Sequence, residues 1–380
     1  MSLKRQHGAA SKRWSRPHLG CARDDEMKEI FFGQDDVLRI KREVEAGNEP
    51  YASAYKHVVE LASKAMEQEP VTVTCKGPDR HEYWTDSPYG GWKKADGTTE
   101  TRDGQINPDS DRGDYYAAIA LENAVRDLGI AYVFEQDEQY ADKAVALIRT
   151  WCLSSETYMT PELTNGQSPI ELFVTIPGMF YGGGLCESAS AWQPGEWDAW
   201  LDWVSKFTTS VTEREFTNNF ANWKVVLMAI SAIVRDDVAD LDCAFDEWRG
   251  LVPDQVADDG HLKREIGRTK SLNYSTYAVN AMVLTAAIAA RRGVDLYGYS
   301  IDGLSLEMVL DYHAPYVVNS EAWPYEQIVP YKGYNIALFE LAYAWKQKET
   351  YRQAIERWER PMYEHRIGGP ITLTNGLAIP

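Results

Sequence analysis

Residues 115–134 read YYAAIALENAVRDLGIAYVF, and this stretch places small and apolar side chains on one stripe. Spacings of three and four residues are those of an α-helix that buries one face. The sequence therefore predicts a long amphipathic helix over this segment. The stripe consists of Ala118, Leu121, Ala124, Val125, Leu128 and Tyr132.

The same periodicity recurs along most of the chain, with turn-forming residues between the periodic segments. Alternating strand patterns are confined to 71–74 and 371–374. Because helices joined by short returns pack as helical hairpins, we predict an all-α protein whose hairpins form a ring or solenoid. Further helices are predicted at 140–151, 197–211, 223–234, 272–292, 304–312 and 334–358.

Three long loops separate the predicted helices, at 84–114, 154–195 and 313–333. Loops above about 12–15 residues are generally functional or disordered. Exposed aromatic faces bind sugar rings by stacking, whereas buried ones tether a loop to the core, and we assign about half of these aromatics to each role. The aromatic residues of the three loops include Trp84, Tyr89, Trp92, Tyr158, Phe173, Phe180, Tyr181, Trp323, Tyr325 and Tyr331.

The composition excludes several classes of partner. The formal net charge of −18 over 380 residues argues against nucleic acid, whose phosphates require a basic surface. No apolar run approaches the roughly 20 residues of a membrane helix. The five cysteines are scattered and form no CxxC pair, so the sequence predicts neither a metal site nor a disulfide framework. No cofactor is predicted.

The first thirty residues are basic but lack the apolar segment of a secretory signal. The compartment therefore stays open. The protein is cytoplasmic, or it is secreted or periplasmic if a signal has been removed.

The segment NNFANW, residues 218–223, directly precedes an apolar helix. Side-chain amides cap helices, and Asn218 or Asn219 suits that role. Two adjacent amides before a tryptophan can also hold a carboxylate. Taken alone, the segment favours the capping role.

The segment DGHLKREIGRTKSLNY, residues 259–274, has four cations within eight residues of an otherwise acidic chain. On one unbroken helix Arg268 and Tyr274 would lie roughly 120° apart, so they can converge only if the backbone breaks between them. Ser271 is a plausible N-cap for that break. Tyr274 would then lie in a first helical turn, where the helix dipole and Arg268 would both lower its pKa.

Two further segments read as turns when taken singly. One is RDGQINPD, residues 102–109, followed by Asp114 and Tyr115 at a helix start. The other is TYMTP, residues 157–161, with Gln167 after it. Neither has the spacing of a metal site or a phosphate cradle.

Together these segments resemble the alginate-lyase domain family of polysaccharide lyases, over roughly residues 84–312. The resemblance implies an (α/α) toroid whose concave face binds a uronic-acid polymer. It also implies β-elimination, which cuts the 4-O-glycosidic bond and leaves a 4,5-unsaturated sugar. The matching segments, in the family's order, are SPYGGW (87–92), RDGQINPD (102–109), DEQYADKAVALIRTW (137–151), ETYMTP (156–161), NNFANW (218–223), DGHLKREIGRTKSLNY (259–274) and GVDLYGY (293–299).

Residue by residue, the resemblance places Asn219 on the family's carboxylate-neutralising asparagine, Arg268 on its active-site arginine and Tyr274 on its catalytic tyrosine. The chain departs from the family at two positions, with Phe220 and Asn273 where the family often has histidine. A histidine base would then have to come from elsewhere, and the candidates are His261 and His313. Without one, a single tyrosine serving as base and acid is the simpler hypothesis.

Substrate contacts are predicted around these three residues, and no metal ligand is predicted. Cations near the groove would offset the charge of an acidic polysaccharide. The cations proposed for this role are Lys93, Lys94, Arg112, Lys224, Lys263 and Lys270. The predicted substrate-binding residues are Asn218, Trp223, Arg264, Lys270, Gln167, Tyr115, Trp92, Trp323 and Tyr325.

The predicted architecture is an incomplete toroid over 46–350, with aromatic-rich loops over a concave groove. Residues 1–45 would form an extension and the first helix, and 351–380 the end of the last helix and a tail. The predicted function is a metal-independent uronan lyase, with mannuronate-rich alginate as first substrate and glucuronan as second. The oligomeric state is not predicted.

Two alternatives stay open. An inverting glycoside hydrolase on a similar toroid would need two carboxylates about 6.5–9.5 Å apart. A non-catalytic uronan-binding protein would keep the groove without turnover, and Phe220 keeps this alternative open. The carboxylates available to a hydrolase are Asp114, Glu171, Glu265 and Glu326.

Overall fold

The computed structural model describes residues 27–162 and 168–379, and the chain is predominantly helical within them. Every helix in this part of the chain is too short or too polar to cross a membrane. The helices are α1 Gln34–Glu45, α2 Tyr51–Met66, α3 Gly113–Glu135, α4 Glu138–Ile148, α5 Ser168–Phe173, α6 Ile176–Leu185, α7 Glu196–Thr212, α8 Asn218–Val234, α9 Val238–Gln255, α10 Ser271–Arg291, α11 Leu306–Val318, α12 Leu338–Trp345, α13 Glu349–Glu356 and α14 Ile371–Thr374.

The helices form two layers, as the predicted (α/α) toroid requires. Helices α3, α6, α8, α10 and α12 contact one another in this order and form the inner layer. Helices α2 and α4 pack on α3, α7 and α9 on α8, and α11 on α10. The last helix, α14, contacts α1, α2 and α12, so the two ends of the described chain meet. The predicted fold class is confirmed.

Residues 154–195 are predicted to form one loop, but helix α6 lies within them, so this prediction is wrong. Its sequence, IPGMFYGGGL, contains four glycines and so has low helix propensity. A Cβ atom added at Gly182 would lie 2.2 Å from the main-chain oxygen of Val125, and one at Gly129 would lie 2.4 Å from that of Gly182. The glycines therefore allow α3 and α6 to pack with their backbones in contact. Tertiary packing overrides propensity here.

Other boundaries also differ from the predicted ones. The predicted helix 334–358 is two helices, because Lys346 adopts an extended conformation and, with Lys348, pairs with acidic residues of α11. Helix α9 was missed, and α11 runs six residues further than predicted, to Val318. Helix α10 ends at Arg291, one residue before the predicted end.

Neither predicted strand forms. Residues Val73–Lys76 form a 3₁₀ turn, and 371–374 form α14, in which all four side chains are buried. An alternation of apolar and polar residues indicates a strand when one face is buried and the other is exposed. Because all four side chains are buried here, the Ile-Thr-Leu-Thr alternation does not indicate a strand. In the part of the chain that the structure describes, the strands form two short antiparallel hairpins: β1 Trp92–Lys93 with β2 Thr99–Glu100, and β3 Ser300–Ile301 with β4 Leu304–Ser305.

The carboxylate of Glu171 on α5 anchors the long loop that precedes α3. It accepts hydrogen bonds from the hydroxyl groups of Tyr83 (2.9 Å) and Thr85 (2.6 Å), and it pairs with Arg112 at 2.9 Å. Glu171 is 3% exposed. The loop is therefore held to α5 by a buried ion pair and two hydroxyl donors.

We expect Glu171→Ala to lower the free energy of unfolding by about 3–5 kcal/mol, because it leaves a buried guanidinium without its partner. The measurement is urea unfolding followed by circular dichroism. The matched control is Asp202→Ala, which removes an exposed carboxylate paired with Lys206. The control should change the free energy by less than about 1 kcal/mol. Equal effects of the two changes would contradict the anchoring role of Glu171.

Candidate active site

Helices α8 and α10 begin side by side. The ring of Trp223, on the second turn of α8, lies 4.9 Å from that of Tyr277 on the second turn of α10. Asn219 and Tyr274 lie one turn nearer to the two helix starts. The N-terminal end of a helix carries partial positive charge, so two such ends favour an anionic ligand between them.

The predicted break between Arg268 and Tyr274 is present. The chain turns through 263–269, and the first helical hydrogen bond of α10 runs from the Tyr274 N–H to the carbonyl of Lys270 at 3.0 Å. The central guanidinium carbon of Arg268 then lies 3.7 Å from the centroid of the Tyr274 ring. The structure thus brings together the two residues that one continuous helix would have separated.

The predicted N-cap is one residue out of place. The cap residue of α10 is Lys270, and Ser271 is the first residue of the helix. The Ser271 hydroxyl donates to the carbonyl of Glu326 at 2.6 Å and accepts from the indole N–H of Trp323 at 2.7 Å. Because these bonds engage the hydroxyl, Ser271 tethers the 323–326 segment to the start of α10 and does not cap the helix.

The Tyr274 hydroxyl is hydrogen-bonded to the hydroxyl of Tyr89 at 2.9 Å. The pKa of Tyr274 is raised above its ordinary value, mainly because burial disfavours the phenolate, and next because of Tyr89. Arg268 acts in the opposite direction and is outweighed. The predicted lowering of this pKa is therefore wrong. In the free protein Tyr274 is a neutral phenol.

Asp103 holds Arg268 in place. Its carboxylate accepts from Nη2 of Arg268 at 2.6 Å and from Nε at 3.1 Å. It also accepts from the main-chain N–H of Thr269 at 3.0 Å. Burial acts to raise the pKa of Asp103, but the bonds to Arg268 and Thr269 hold it below its usual value. From the sequence, residues 102–109 were predicted only to form a turn, and the role of Asp103 was missed. The family resemblance of this segment was the only signal for such a role.

Asn219 is tied to a second internal carboxylate. Glu265, 1% exposed, accepts from the main-chain N–H of Asn219 at 2.8 Å. It also accepts from Nδ2 of Asn219, at 3.1 and 3.2 Å to its two oxygens. Burial raises the pKa of Glu265, although the bonds from Asn219 and the charge of Arg268 oppose the rise. Both residues predicted to bind the substrate carboxylate therefore already contact carboxylates of the protein.

Two of the predicted substrate-binding residues take structural positions on α8. Trp223 is 0% exposed, so its ring has no face open to a ligand and we reassign it to the core. Asn218 has a left-handed backbone, with φ of 56°, and its side-chain oxygen accepts from the N–H of Phe220 at 3.1 Å. Its carbonyl accepts from Gln255 at 3.0 Å. The cap residue of α8 is Thr217.

The two cations of the basic segment that are predicted to bind substrate, Arg264 and Lys270, differ in their surroundings. Arg264 is exposed and pairs with Asp254 at 2.9 Å. Lys270 is half-buried beside Gly104, where an added Cβ atom would lie 3.2 Å from its Cγ. Lys270 is therefore the member of this pair that lies beside the Asp103 loop.

The aromatic residues predicted to bind sugar differ in accessibility. Trp323 is 7% exposed and lies 5.2 Å from the half-buried ring of Tyr325. The ring of Trp92 is covered by the guanidinium of Arg102 at 4.4 Å. Gln167, the remaining predicted polar contact in the loop before α5, lies outside the described residues.

Two of the cations proposed to offset substrate charge are both buried and paired. Arg112 forms the buried bridge to Glu171, and Lys224, 5% exposed, pairs with Glu247 at 3.1 Å. Because both side chains are buried as well as paired, neither is available to a bound polysaccharide, so these two predictions are wrong. Lys93, Lys94 and Lys263 are exposed.

Both candidate histidines are engaged with other groups of the protein. His313 is 0% exposed, and burial lowers its pKa to about 4. Its Nδ1 is bonded to the carbonyl of Val309 at 2.7 Å. His261 is paired with Asp259 at 2.6 Å. Phe220 packs against Phe216, with ring centroids 6.2 Å apart.

Arg366, from the C-terminal segment, packs beside the site, and the sequence did not predict this contact. Nη1 of Arg366 donates to the hydroxyl of Tyr115 at 2.6 Å, and its guanidinium lies 5.7 Å from the Tyr277 ring. Tyr115 is 8% exposed, so this hydroxyl is committed to Arg366 within the described structure. Arg366 lies far along the chain from Tyr274, and no spacing rule connects the two.

The chain is similar to known proteins over most of its length. The family model described as alginate lyase matches residues 70–323, which is more than half of the chain. None of the curated proteins compared with the chain matches it significantly.

Solved structures are similar over nearly the whole fold. An alginate lyase from Bacteroides ovatus is 25% identical, with a TM-score of 0.78 over 93% of this chain and 100% of that one. Alginate lyase A1-III from Sphingomonas species A1 is 16% identical, with a TM-score of 0.63 over 84% and 95% of the two chains. A structure of alginate lyase A1-III with a tetrasaccharide is 17% identical, with a TM-score of 0.69 over 91% and 95%.

Proposed function

This chain belongs to the alginate lyase family of polysaccharide lyases, and on that premise we propose that Tyr274 carries the proton transfers of a uronan β-elimination. The observation that carries this proposal is the stacking of Arg268 on Tyr274 at the paired starts of α8 and α10. Asn219, at the start of α8, is the third residue of this group, and its side chain is hydrogen-bonded to Glu265.

The difficult step of β-elimination is removal of the proton on C5 of the uronate. The adjacent carboxylate is negatively charged, and a second negative charge develops on it as the C–H bond breaks. An amide and a guanidinium that bind this carboxylate stabilise the developing enolate, an effect worth several kcal/mol. Nε and Nη2 of Arg268 both contact Oδ1 of Asp103, and Nε also lies 3.3 Å from Oδ2, so this guanidinium can present two donors to a carboxylate.

Tyr274 serves as base and then as acid in this proposal. Because Tyr274 is a neutral phenol in the free protein, it must first lose its proton to solvent. The phenolate then removes the C5 proton, the C4–O bond breaks, and the resulting phenol protonates the departing O4, which regenerates the phenolate. Both transfers occur on one face of the sugar, so the elimination is syn. A raised pKa makes the phenolate a stronger base and brings the phenol closer in pKa to the departing alcohol.

The proposed substrate is mannuronate-rich alginate, with glucuronan second. The similar structure of alginate lyase A1-III with a tetrasaccharide supports an oligosaccharide as ligand. The hydrolase alternative loses support because two of its carboxylates are occupied. Asp114 contacts Lys76 and Arg80, and Glu171 is the buried anchor already described.

We expect the purified protein to release products with a new ultraviolet absorbance from polymannuronate, because elimination creates a double bond conjugated with the carboxylate. The measurement is absorbance with time, in parallel with reducing ends, on polymannuronate, polyguluronate, glucuronan and hyaluronan. New reducing ends without absorbance would indicate a hydrolase. Binding to any of these polymers with neither signal would indicate a non-catalytic protein, and both outcomes contradict the proposal.

A further inference from the structure

The orientation of the Asn219 amide is set by Glu265. The carboxylate of Glu265 contacts two donors of Asn219, its main-chain N–H and its Nδ2 group. The side-chain donors of Asn219 are therefore turned toward Glu265, and Oδ1 is the amide atom that faces away. An amide oxygen only accepts hydrogen bonds, so it repels an ionised carboxylate.

A rotation of 180° about the last side-chain bond exchanges Nδ2 and Oδ1 with almost no change in shape. After the rotation Oδ1 faces Glu265 and requires a donor there. An ionised carboxylate has none, whereas a protonated carboxyl group has one O–H and one free oxygen. The O–H can serve Asn219 Oδ1, and the free oxygen can still accept from the Asn219 main-chain N–H. The protonation state of Glu265 and the direction of the amide are therefore coupled.

The surroundings of Glu265 favour its neutral form more than those of an ordinary surface glutamate. Burial raises the pKa of Glu265, and the negative charge of Asp103 adds to the rise. Arg268, on the same turn, opposes it, as do the hydrogen bonds from Asn219 on α8. Tyr274 on α10 stacks on Arg268 and is neutral in the free protein. A uronate bound to Arg268 would add one more negative charge beside Glu265.

We propose that Glu265 is a positioning residue that must carry a proton when a uronate binds, so that the Asn219 amide presents Nδ2 to the substrate carboxylate. The proton comes from solvent, and no other bond forms or breaks in this step. This inference rests on the proposed function, because it requires Asn219 to bind a carboxylate. Glu265 acts through Asn219 and does not touch the sugar.

The test compares wild type, Glu265→Gln and Glu265→Ala on polymannuronate, with kcat/KM measured across the pH range in which the protein stays folded. Glutamine reproduces the protonated state, because its Nε2 donates to Asn219 Oδ1 and its Oε1 accepts from the main-chain N–H. The ratio of kcat/KM for Glu265→Gln to that for wild type is expected to be constant at low pH. Above the pH at which Glu265 ionises, it should rise about tenfold per pH unit.

Glu265→Ala should be less active than wild type at low pH, where Glu265 is protonated, because the substitution leaves the amide without a partner that sets its direction. An exposed control, Glu349→Gln on α13, should follow wild type at every pH. If the Glu265→Gln profile ran parallel to that of wild type, the coupling between protonation and amide direction would be absent and the proposal overturned.

A second measurement covers the case in which Glu265→Gln does not fold, which circular dichroism would reveal. Calorimetric titration of Tyr274→Phe with an oligomannuronate, in two buffers of different ionisation enthalpy, counts the protons taken up on binding. We expect uptake that approaches one proton above the pH at which Glu265 ionises, and zero uptake would overturn the proposal. Absence of unsaturated product from wild type would instead contradict the proposed function, so the two failures are distinguishable.

Discussion

Replacing Tyr274 by phenylalanine is expected to lower kcat about 10³-fold or more on every uronan that the wild type cleaves. General acid–base catalysis by one side chain is worth about 10²–10⁴-fold, and here one hydroxyl is proposed to serve two proton transfers. The phenyl ring keeps its place under Arg268, so binding should be affected much less than turnover. The measurement is the initial rate of absorbance increase at saturating substrate, with KM obtained from the same data.

The control for this change is Tyr334→Phe, which removes a hydroxyl from an exposed tyrosine and should leave kcat unchanged. The comparison with Tyr89→Phe is also informative, because it removes the hydrogen-bond partner of Tyr274 without removing the reacting hydroxyl. Tyr274→Phe should be the more severe of these two changes. Near-normal turnover by Tyr274→Phe would refute the role of Tyr274 as base and acid.

The fold class could be predicted from the sequence because helices with one apolar face leave a periodic record. The stripe of 115–134 lies within α3, which is 23 residues long. Helix α6 left no such record, because its glycines serve a backbone contact with α3 that depends on the partner. Periodicity reports how one helix faces a core, and it does not report how closely two helices approach.

The candidate active site was predictable to the extent that its residues lie in contiguous segments. Arg268 and Tyr274 lie six residues apart, and helix geometry lets them converge only if the backbone breaks between them, as it does in the structure. Asp103 is 165 residues from Arg268, and Arg366 is 251 residues from Tyr115. Such pairs form only when the toroid closes, so no local pattern encodes them.

The pKa of Tyr274 was predicted in the wrong direction for a related reason. Helix position and a neighbouring arginine can be read from the sequence, and both favour a phenolate. Burial of the hydroxyl and its bond to Tyr89 are properties of the assembled structure, and they outweigh Arg268. Desolvation is the cause of pKa shifts that a sequence reports least.

Replacing Arg268 by alanine is expected to lower kcat/KM by about 10²–10³-fold. The guanidinium is proposed to stabilise charge that grows on the substrate carboxylate in the transition state, and removal of one such group usually costs this much. The change also leaves the Asp103 carboxylate without its partner, so a substrate carboxylate would meet uncompensated negative charge. Arg268→Lys should retain part of the activity, because lysine keeps the charge but not the bidentate geometry.

The double variant Asp103→Asn/Arg268→Ala separates these two contributions. If Asp103 repels the substrate once Arg268 is absent, the double variant should recover about tenfold in kcat/KM relative to Arg268→Ala alone. Its remaining deficit then measures the lost transition-state contact. Arg249→Ala is the control, because Arg249 is paired with Asp246 on the outer helix α9 and should leave kcat/KM unchanged. A loss for Arg268→Ala confined to thermal stability, with normal kcat/KM in the folded fraction, would show that Arg268 only holds the Asp103 loop.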